Sequence, residues 1–388
     1  MLPESVRQPL ELRRWALRVL RGDLAIAPQV PATAWRRFLA IERCAFPLAR
    51  HLGQSYDSYL APSGISTFRA ALEKEARKIL AARSQLAEIA LVAREQAWQI
   101  VALKGAVCAL DDKTAVDLDD IDLLAEPKTA HLLADALGQL GYRRQGSGSP
   151  LHIESCLREG SLPVEIHVSA DVTGVLDERR VWSALQPLSM DGLFRLAPAD
   201  HLWQVIVHLG IQHPYRRGVI RDLLVLKRAM EECDPQALGA VRSRTATHAH
   251  GASLSVVWAA ASALGADGSV ALELERDAAI RHLMNSWITP LHLPRVVEAD
   301  VGNWSFALLM GPAERSYRWN AVWQRARGPS LARPIAWLER TVPRAGRVAR
   351  VALRLIRSLV ALPPALMLAW AASRATRDLD LSLKQRGE

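Results

Sequence analysis

The segment Asp117-Leu-Asp-Asp-Ile-Asp-Leu-Leu124 contains two D-x-D spacings, Asp117/Asp119 and Asp120/Asp122, and only the second is set in a strand-like run. Side chains two apart on a strand share a face, so Asp120 and Asp122 stand side by side while Ile121 and Leu123 turn to the core. Neighbouring carboxylates repel and raise each other's pKa. A divalent cation between them, Mg²⁺ or Mn²⁺, relieves that repulsion, and phosphate oxygens commonly complete its shell. D-x-D alone also describes a solvated turn. A third carboxylate argues against the turn. In Pro163-Val-Glu-Ile-His-Val168, Glu165 and His167 share one strand face, with Val164, Ile166 and Val168 on the other. Three carboxylates from two strands, with a Lys104-Gly105 turn ahead of them, make a two-metal phosphoryl-transfer arrangement.

Other candidates are weaker. His208 and His213 are five apart on a predicted helix, a poor spacing for one face, and there is no H-E-x-x-H. A core or acceptor-side role fits them better than zinc. Asp222 follows Arg221 and is expected to pair locally. Near the C-terminus, Arg344, Arg347, Arg350, Arg354 and Arg357 recur every three or four residues and fall on one helix face. Val348, Val351, Leu355 and Leu359 flank them. Ser358 to Ser373 is an uncharged run containing Pro363-Pro364 and Trp370, shorter than the roughly 18–20 residues a membrane span needs. Two readings stand side by side: an interfacial anchor on anionic lipid, or a helix packed on the body with its Arg face in water.

The elements that must position these residues follow from periodicity. Residues 1–95 read as mostly helical, with apolar residues at helical spacing over Leu10–Leu20 and Ala70–Ala93 and a break at Ala61–Ser66. Trp98–Leu103 and Ile121–Ala125 suit buried strands. Pro127 opens a helix to Leu140, and Gly141 ends it. Leu151–Leu157 and Leu162–Val168 read as a hairpin. Helical period returns over Pro198–Val256, and beyond it the chain is Pro-interrupted. The expectation is an α+β protein: a helical region at 1–95, a small mixed-sheet core at 96–195, a helical domain at 196–310 and a basic helical tail at 311–388.

Composition sets the limits. At 388 residues and 50% hydrophobic, the chain is long enough for roughly two or three domains and excludes a disordered or fibrous polypeptide. Four scattered cysteines without a C-x-x-C pair disfavour a disulfide framework or structural zinc and fit a reducing compartment. The opening Met-Leu-Pro-Glu-Ser-Val-Arg lacks a signal peptide's apolar core, so a cytoplasmic location is expected. Of the net charge of +9, residues 311–388 account for a surplus, with 15 Lys/Arg against 5 Asp/Glu. The rest is near neutral, which argues against nucleic acid as a partner of the whole chain. The tail lacks the interleaved aromatics of an RNA-binding surface.

The series Val-Ala-Leu-Lys104-Gly105, Asp120-Ile-Asp122-Leu-Leu and Val-Glu165-Ile-His167 resembles the "LKG … DIDLL … E-x-H" pattern of the uncharacterised nucleotidyltransferase family, whose fold is polymerase-β-like. Val207-His208 through His213, with Arg221-Asp222, is similar to that family's helical segment, so the resemblance spans roughly residues 70–230. It implies transfer of a nucleoside monophosphate from a nucleoside triphosphate to an acceptor, with a peptide or glycan of a biosynthetic route as the suggested class. It implies that Asp120 and Asp122 hold Mg²⁺, with Glu165 completing a second metal site or deprotonating the acceptor. Lys104, Gly105 and His167 would meet the nucleotide, and His208, His213 and Asp222 form a second tier. One position departs from the pattern: Val116 stands where the family usually has an Arg, four residues before Asp120. That departure supports an alternative, a catalytically silent relative acting as a peptide- or glycan-binding or membrane-associated assembly module.

Overall fold

The computed structural model describes residues 4–145, 152–171, 173–212, 219–262 and 341–385, together with a few positions between 264 and 323. It is an α+β structure with twelve α-helices among the described residues and one seven-stranded mixed sheet. Two compact units divide the chain. The first comprises Met1–Val207, Val219–Ser243 and Ala261–Ala266; the second comprises His208–Gly218, Arg244–Ala260 and Asp267–Glu388.

In the first unit, helices α1 (Glu4–Leu20), α2 (Ala32–Glu42), α3 (Ala45–Leu52) and α4 (Pro62–Glu95) precede the sheet. The expected break at Ala61–Ser66 is instead the start of α4, with Pro62 at its first turn, where a missing N–H costs nothing. Gly64 has a packing reason. A Cβ there would lie 2.3 Å from the Trp35 ring, so only glycine lets the indole rest on this turn.

The strands are β1 (Ile100–Ala102), β2 (Ile121–Leu124), β3 (Arg143–Gln145), β4 (Ser155–Leu157), β5 (Val164–His167), β6 (Gln186–Pro187) and β7 (Leu193–Arg195). Their order is β3-β4-β5-β2-β1-β7-β6, which makes β2 the middle strand. Strand β2 runs antiparallel to β1 and parallel to β5. Helices α5 (Gly105–Ala109) and α6 (Pro127–Gln139) fill the connections, and α6 ends at Gly141 in a left-handed conformation, as its sequence predicts. The expected hairpin forms between β4 and β5.

Both faces of the central strands are buried. Ile100, Ala102, Ile121, Leu123, Val164 and Ile166 share a core with Leu86, Ile89 and Ala93 of α4 and Leu133 and Leu137 of α6. Alternation sends Val101, Leu103 and Leu124 to the opposite face, where each is at most 1% exposed. That face also carries the polar residues.

Helices α7 (Glu178–Ser183), α8 (Pro198–Val207), α9 (Ile220–Glu231), α10 (Pro235–Thr247) and α11 (Gly251–Ser262) follow the core strands, and α12 (Pro343–Gln385) lies in the second unit. Helix α12 runs through Pro363-Pro364 without ending. The expectation that its arginines form one outward face is not met. Arg344 and Arg347 are exposed, Arg354 and Arg357 are half-buried, and Arg350 is 6% exposed. Gly346, Ser358, Ala361 and Ala365 are buried on the same side. No helix among the described residues is long and apolar enough to cross a membrane.

Candidate active site

Strand pairing assembles the site. In the parallel β2/β5 ladder, Asp122 is registered with Glu165 and Leu124 with His167, so all four side chains share a face. One ligand atom each from Asp122, Glu165 and His167 lies within 4.8 Å of the others. His167 Nε2 is 2.8 Å from Asp122 Oδ1, and both residues are 8% exposed. Burial, and then the charge of Lys104, pull the His167 pKa below its ordinary value, against the raising effect of Asp122. A neutral ring in this contact carries its proton on Nε2 and donates it to the carboxylate, fixing the tautomer. His152, bridged to His167 across the adjoining backbone, sets its ring edge-on at 5.7 Å.

Lys104 completes the cluster, with Nζ donating to the same Asp122 Oδ1 at 2.8 Å and only about a tenth of either side chain exposed. Its backbone sits at φ 50° and ψ −123°, a region that favours glycine. The sequence puts the conformational freedom one residue later, at Gly105. The structure reverses this: Gly105 has no positive φ, and a Cβ there would meet the Leu118 side chain at 3.3 Å. The strain falls on Lys104, where the ion pair with Asp122 holds it.

Asp120 lies one residue ahead of β2 and outside the tight cluster. Burial raises its pKa to about 7, helped by Asp122 and Glu165 and opposed by Lys104.

Asp117 and Asp119 act differently from the added negative charge that the sequence suggests. Arg43 Nε donates to Asp117 Oδ2 at 2.5 Å, and Arg43 also binds Asp119. Lys78 lies 3.2 Å from Asp117 and 3.6 Å from Asp119 and donates to the Leu118 carbonyl. Arg221 reaches Asp119 at 3.5 Å. Three cations from α4, α9 and the α2–α3 junction thus surround the loop that Val116 opens. Local structure aims them. Arg43 ends α2 in a left-handed conformation, and the buried Glu75 of α4 accepts from the free N–H groups of Ala45 and Phe46 at the start of α3. Burial lifts the Glu75 pKa to about 7. Glu42 ties the same corner to α9 by accepting from Arg13 and from Ile220 N.

The remaining candidates are not members of the cluster. Asp222 is buried and paired with its neighbour Arg221. His208 opens a π-helical turn, His208–Gln212, with Nδ1 3.0 Å from Gln212 Oε1, and belongs to the second unit. His213 lies outside the described residues. Sequence reasoning missed Arg43, Lys78, His152 and Asp171. Asp171 follows β5 and accepts from Thr173 N, Val175 N, Leu176 N and Trp203 Nε1, which fastens the exit of β5 to α8. An Asp-x-Thr turn signature marks it in the sequence; nothing local marks Arg43 or Lys78.

A mixed sheet thus pairs carboxylates across neighbouring central strands, with a lysine at the turn and a histidine bound to one carboxylate, in a cluster able to hold a metal ion. The profile of the uncharacterised nucleotidyltransferase family matches residues 32–263, and the chain belongs to that family. No curated protein and no solved structure gives a significant match.

Proposed function

We propose that this chain transfers a nucleoside monophosphate from a nucleoside triphosphate to a hydroxyl of a peptide or glycan acceptor, releasing pyrophosphate, in a site built at the proposed sheet core, residues 96–195. The observation that carries this reading is the Asp122/Glu165 register with His167 alongside, all within 4.8 Å. The donor set fits a divalent cation. Two carboxylate oxygens suit Mg²⁺ and Mn²⁺. Asp122 and Glu165 would hold the ion, with Asp120 joining once ionised. When bound, the ion supplies charge neutralisation for the phosphates.

The chain's own residues do the rest. His167 orients Asp122 through its Nε2 proton, as outer partners of ligating carboxylates do. Lys104 brings a positive charge to the same carboxylate and, at an incoming triphosphate, to its oxygens. Glu165 accepts the proton of the attacking hydroxyl, which turns the hydroxyl into the nucleophile at the α-phosphorus. Arg43, Lys78 and Arg221 supply the cationic surroundings that Val116 does not. The second reading, a silent binding module, is favoured by one observation: Lys104 already neutralises Asp122.

Titration of the full chain with ATP, CTP, GTP and UTP in Mn²⁺ or Mg²⁺, followed by a pyrophosphate-release screen against hydroxyl-bearing peptides and glycans, tests the proposal. Nucleotide binding lost in Asp122→Asn supports it. Absence of binding by all four nucleotides with both metals overturns it in favour of the module.

A further inference from the structure

Helix α12 faces the reverse of what its arginines suggest, and the residues it leaves outside are apolar. Leu353 is 38% exposed, Ile356 56%, Leu359 61%, Val360 54%, Leu366 49% and Met367 72%. At 100° per residue these fall within one side of the helix, opposite the buried Arg350, Ser358, Ala361 and Ala365. The stripe extends about 21 Å, at 1.5 Å per residue over 353–367. Soluble surfaces carry single exposed apolar residues routinely, but a continuous stripe of this length marks a contact surface.

We infer that this face of α12 lies on an anionic lipid surface, parallel to the membrane plane. Charge selects lipid over a protein partner. Residues 311–388 carry 15 basic against 5 acidic side chains, and the exposed Arg344 and Arg347 stand roughly two to two and a half turns before the stripe. Such a helix meets headgroup phosphates with its basic end and the acyl boundary with its apolar side. Among the described residues the stripe is aliphatic. Because Arg350, Arg354 and Arg357 turn inward, apolar insertion provides most of the affinity, and the two outer arginines provide the preference for negative charge. This inference is independent of the transferase reading.

Flotation of the full-length protein with phosphatidylcholine vesicles, with and without about a third phosphatidylglycerol, at low and high NaCl, tests it. The expected result is binding to the anionic vesicles that falls only a few-fold in high salt, since screening acts on two arginines and not on the stripe. Ile356→Glu and Leu359→Glu, both at exposed positions, should lower it about tenfold or more while circular dichroism and melting temperature stay unchanged. Arg344→Glu with Arg347→Glu should remove the preference for anionic over neutral vesicles. The inference is overturned if the wild-type chain ignores anionic vesicles, if binding survives both glutamate substitutions, or if high salt abolishes it. It is also overturned if the substitutions convert a dimer to a monomer without affecting lipid, which would assign the stripe to a second copy.

Discussion

Asp120 offers the most direct test of the site, because its carboxyl and a metal ion make opposite demands. Burial, Asp122 and Glu165 hold its pKa at about 7, well above the ordinary value of 3.8. A carboxyl raised in the folded state keeps a proton that the unfolded chain releases. Folding is therefore favoured below pH 4, loses stability as the pH climbs from about 4 to 7, and stays at the lower level above that. Three pH units correspond to a ceiling of about 4 kcal/mol, and the solvent that reaches this half-buried group brings it to about 2 kcal/mol. Asparagine keeps the shape and cannot ionise. With EDTA present, Asp120→Asn should melt about 4–8 °C above wild type at pH 8, at roughly 2–4 °C per kcal/mol for a unit of this size, and level with it at pH 4. Metal should reverse the order. Mn²⁺ needs the ionised carboxylate, so its stabilisation of the wild type should grow from pH 6 to pH 8 and be much reduced in the variant. Thermal unfolding across this pH range, with EDTA and with Mn²⁺, reads both effects. A melting difference that is the same at pH 4 and pH 8, or an asparagine variant less stable at pH 8, would refute the argument that clustered carboxylates set the pKa of Asp120.

Three further outcomes follow from the same geometry. Glu165→Gln keeps one carbonyl oxygen for the ion but no proton acceptor, so metal-dependent nucleotide binding should weaken only several-fold while transfer, measured as pyrophosphate release, falls about a hundredfold or more; equal loss of binding and turnover would make Glu165 a ligand only. Lys104→Gly and Lys104→Ala both lose the ion pair with Asp122, but only glycine relieves the positive φ. Urea unfolding should therefore find the glycine variant more stable than the alanine variant by about 1 kcal/mol. Arg43→Met leaves the 5%-exposed Asp117 short of its guanidinium partner. It should cost about 3 kcal/mol in the same assay, with Asp117→Asn in the same background recovering part of it.

These tests concern residues of unequal visibility in the sequence. Strands β1, β2 and β5 were legible because each is a short apolar run bounded by Gly, Pro or charge, and the 2-residue period separated Glu165 and His167 from Val164 and Ile166. The period shows which side chains share a face. It carries no information on register, and the parallel pairing of Asp122 with Glu165 rather than with a residue two positions away comes from α6, β3 and β4 completing the crossover. The cations around Asp117 and Asp119 were not legible at all. Arg43 lies 74 residues from Asp117, and Arg221 104 residues from it, so no window in the chain contains them together. The Val116 departure accordingly looks like a loss of positive charge along the sequence, whereas in space Arg43, Lys78 and Arg221 surround the same loop.

Helix α12 shows the opposite failure, in which the pattern was visible and its orientation was not. Five arginines at helical spacing and an apolar run each define a face, and periodicity alone cannot say which of the two turns inward. Formal charge favours arginine outside. The small residues fall on the inward side: Gly346, Ser358, Ala361 and Ala365 are buried together with Arg350. On the opposite side the bulky aliphatic residues face outward. An arginine stripe threaded with glycine, serine and alanine is thus a stronger signal for an inward face than its charge is for an outward one, and on that logic the lipid contact belongs to Ile356 and Leu359 before it belongs to any arginine.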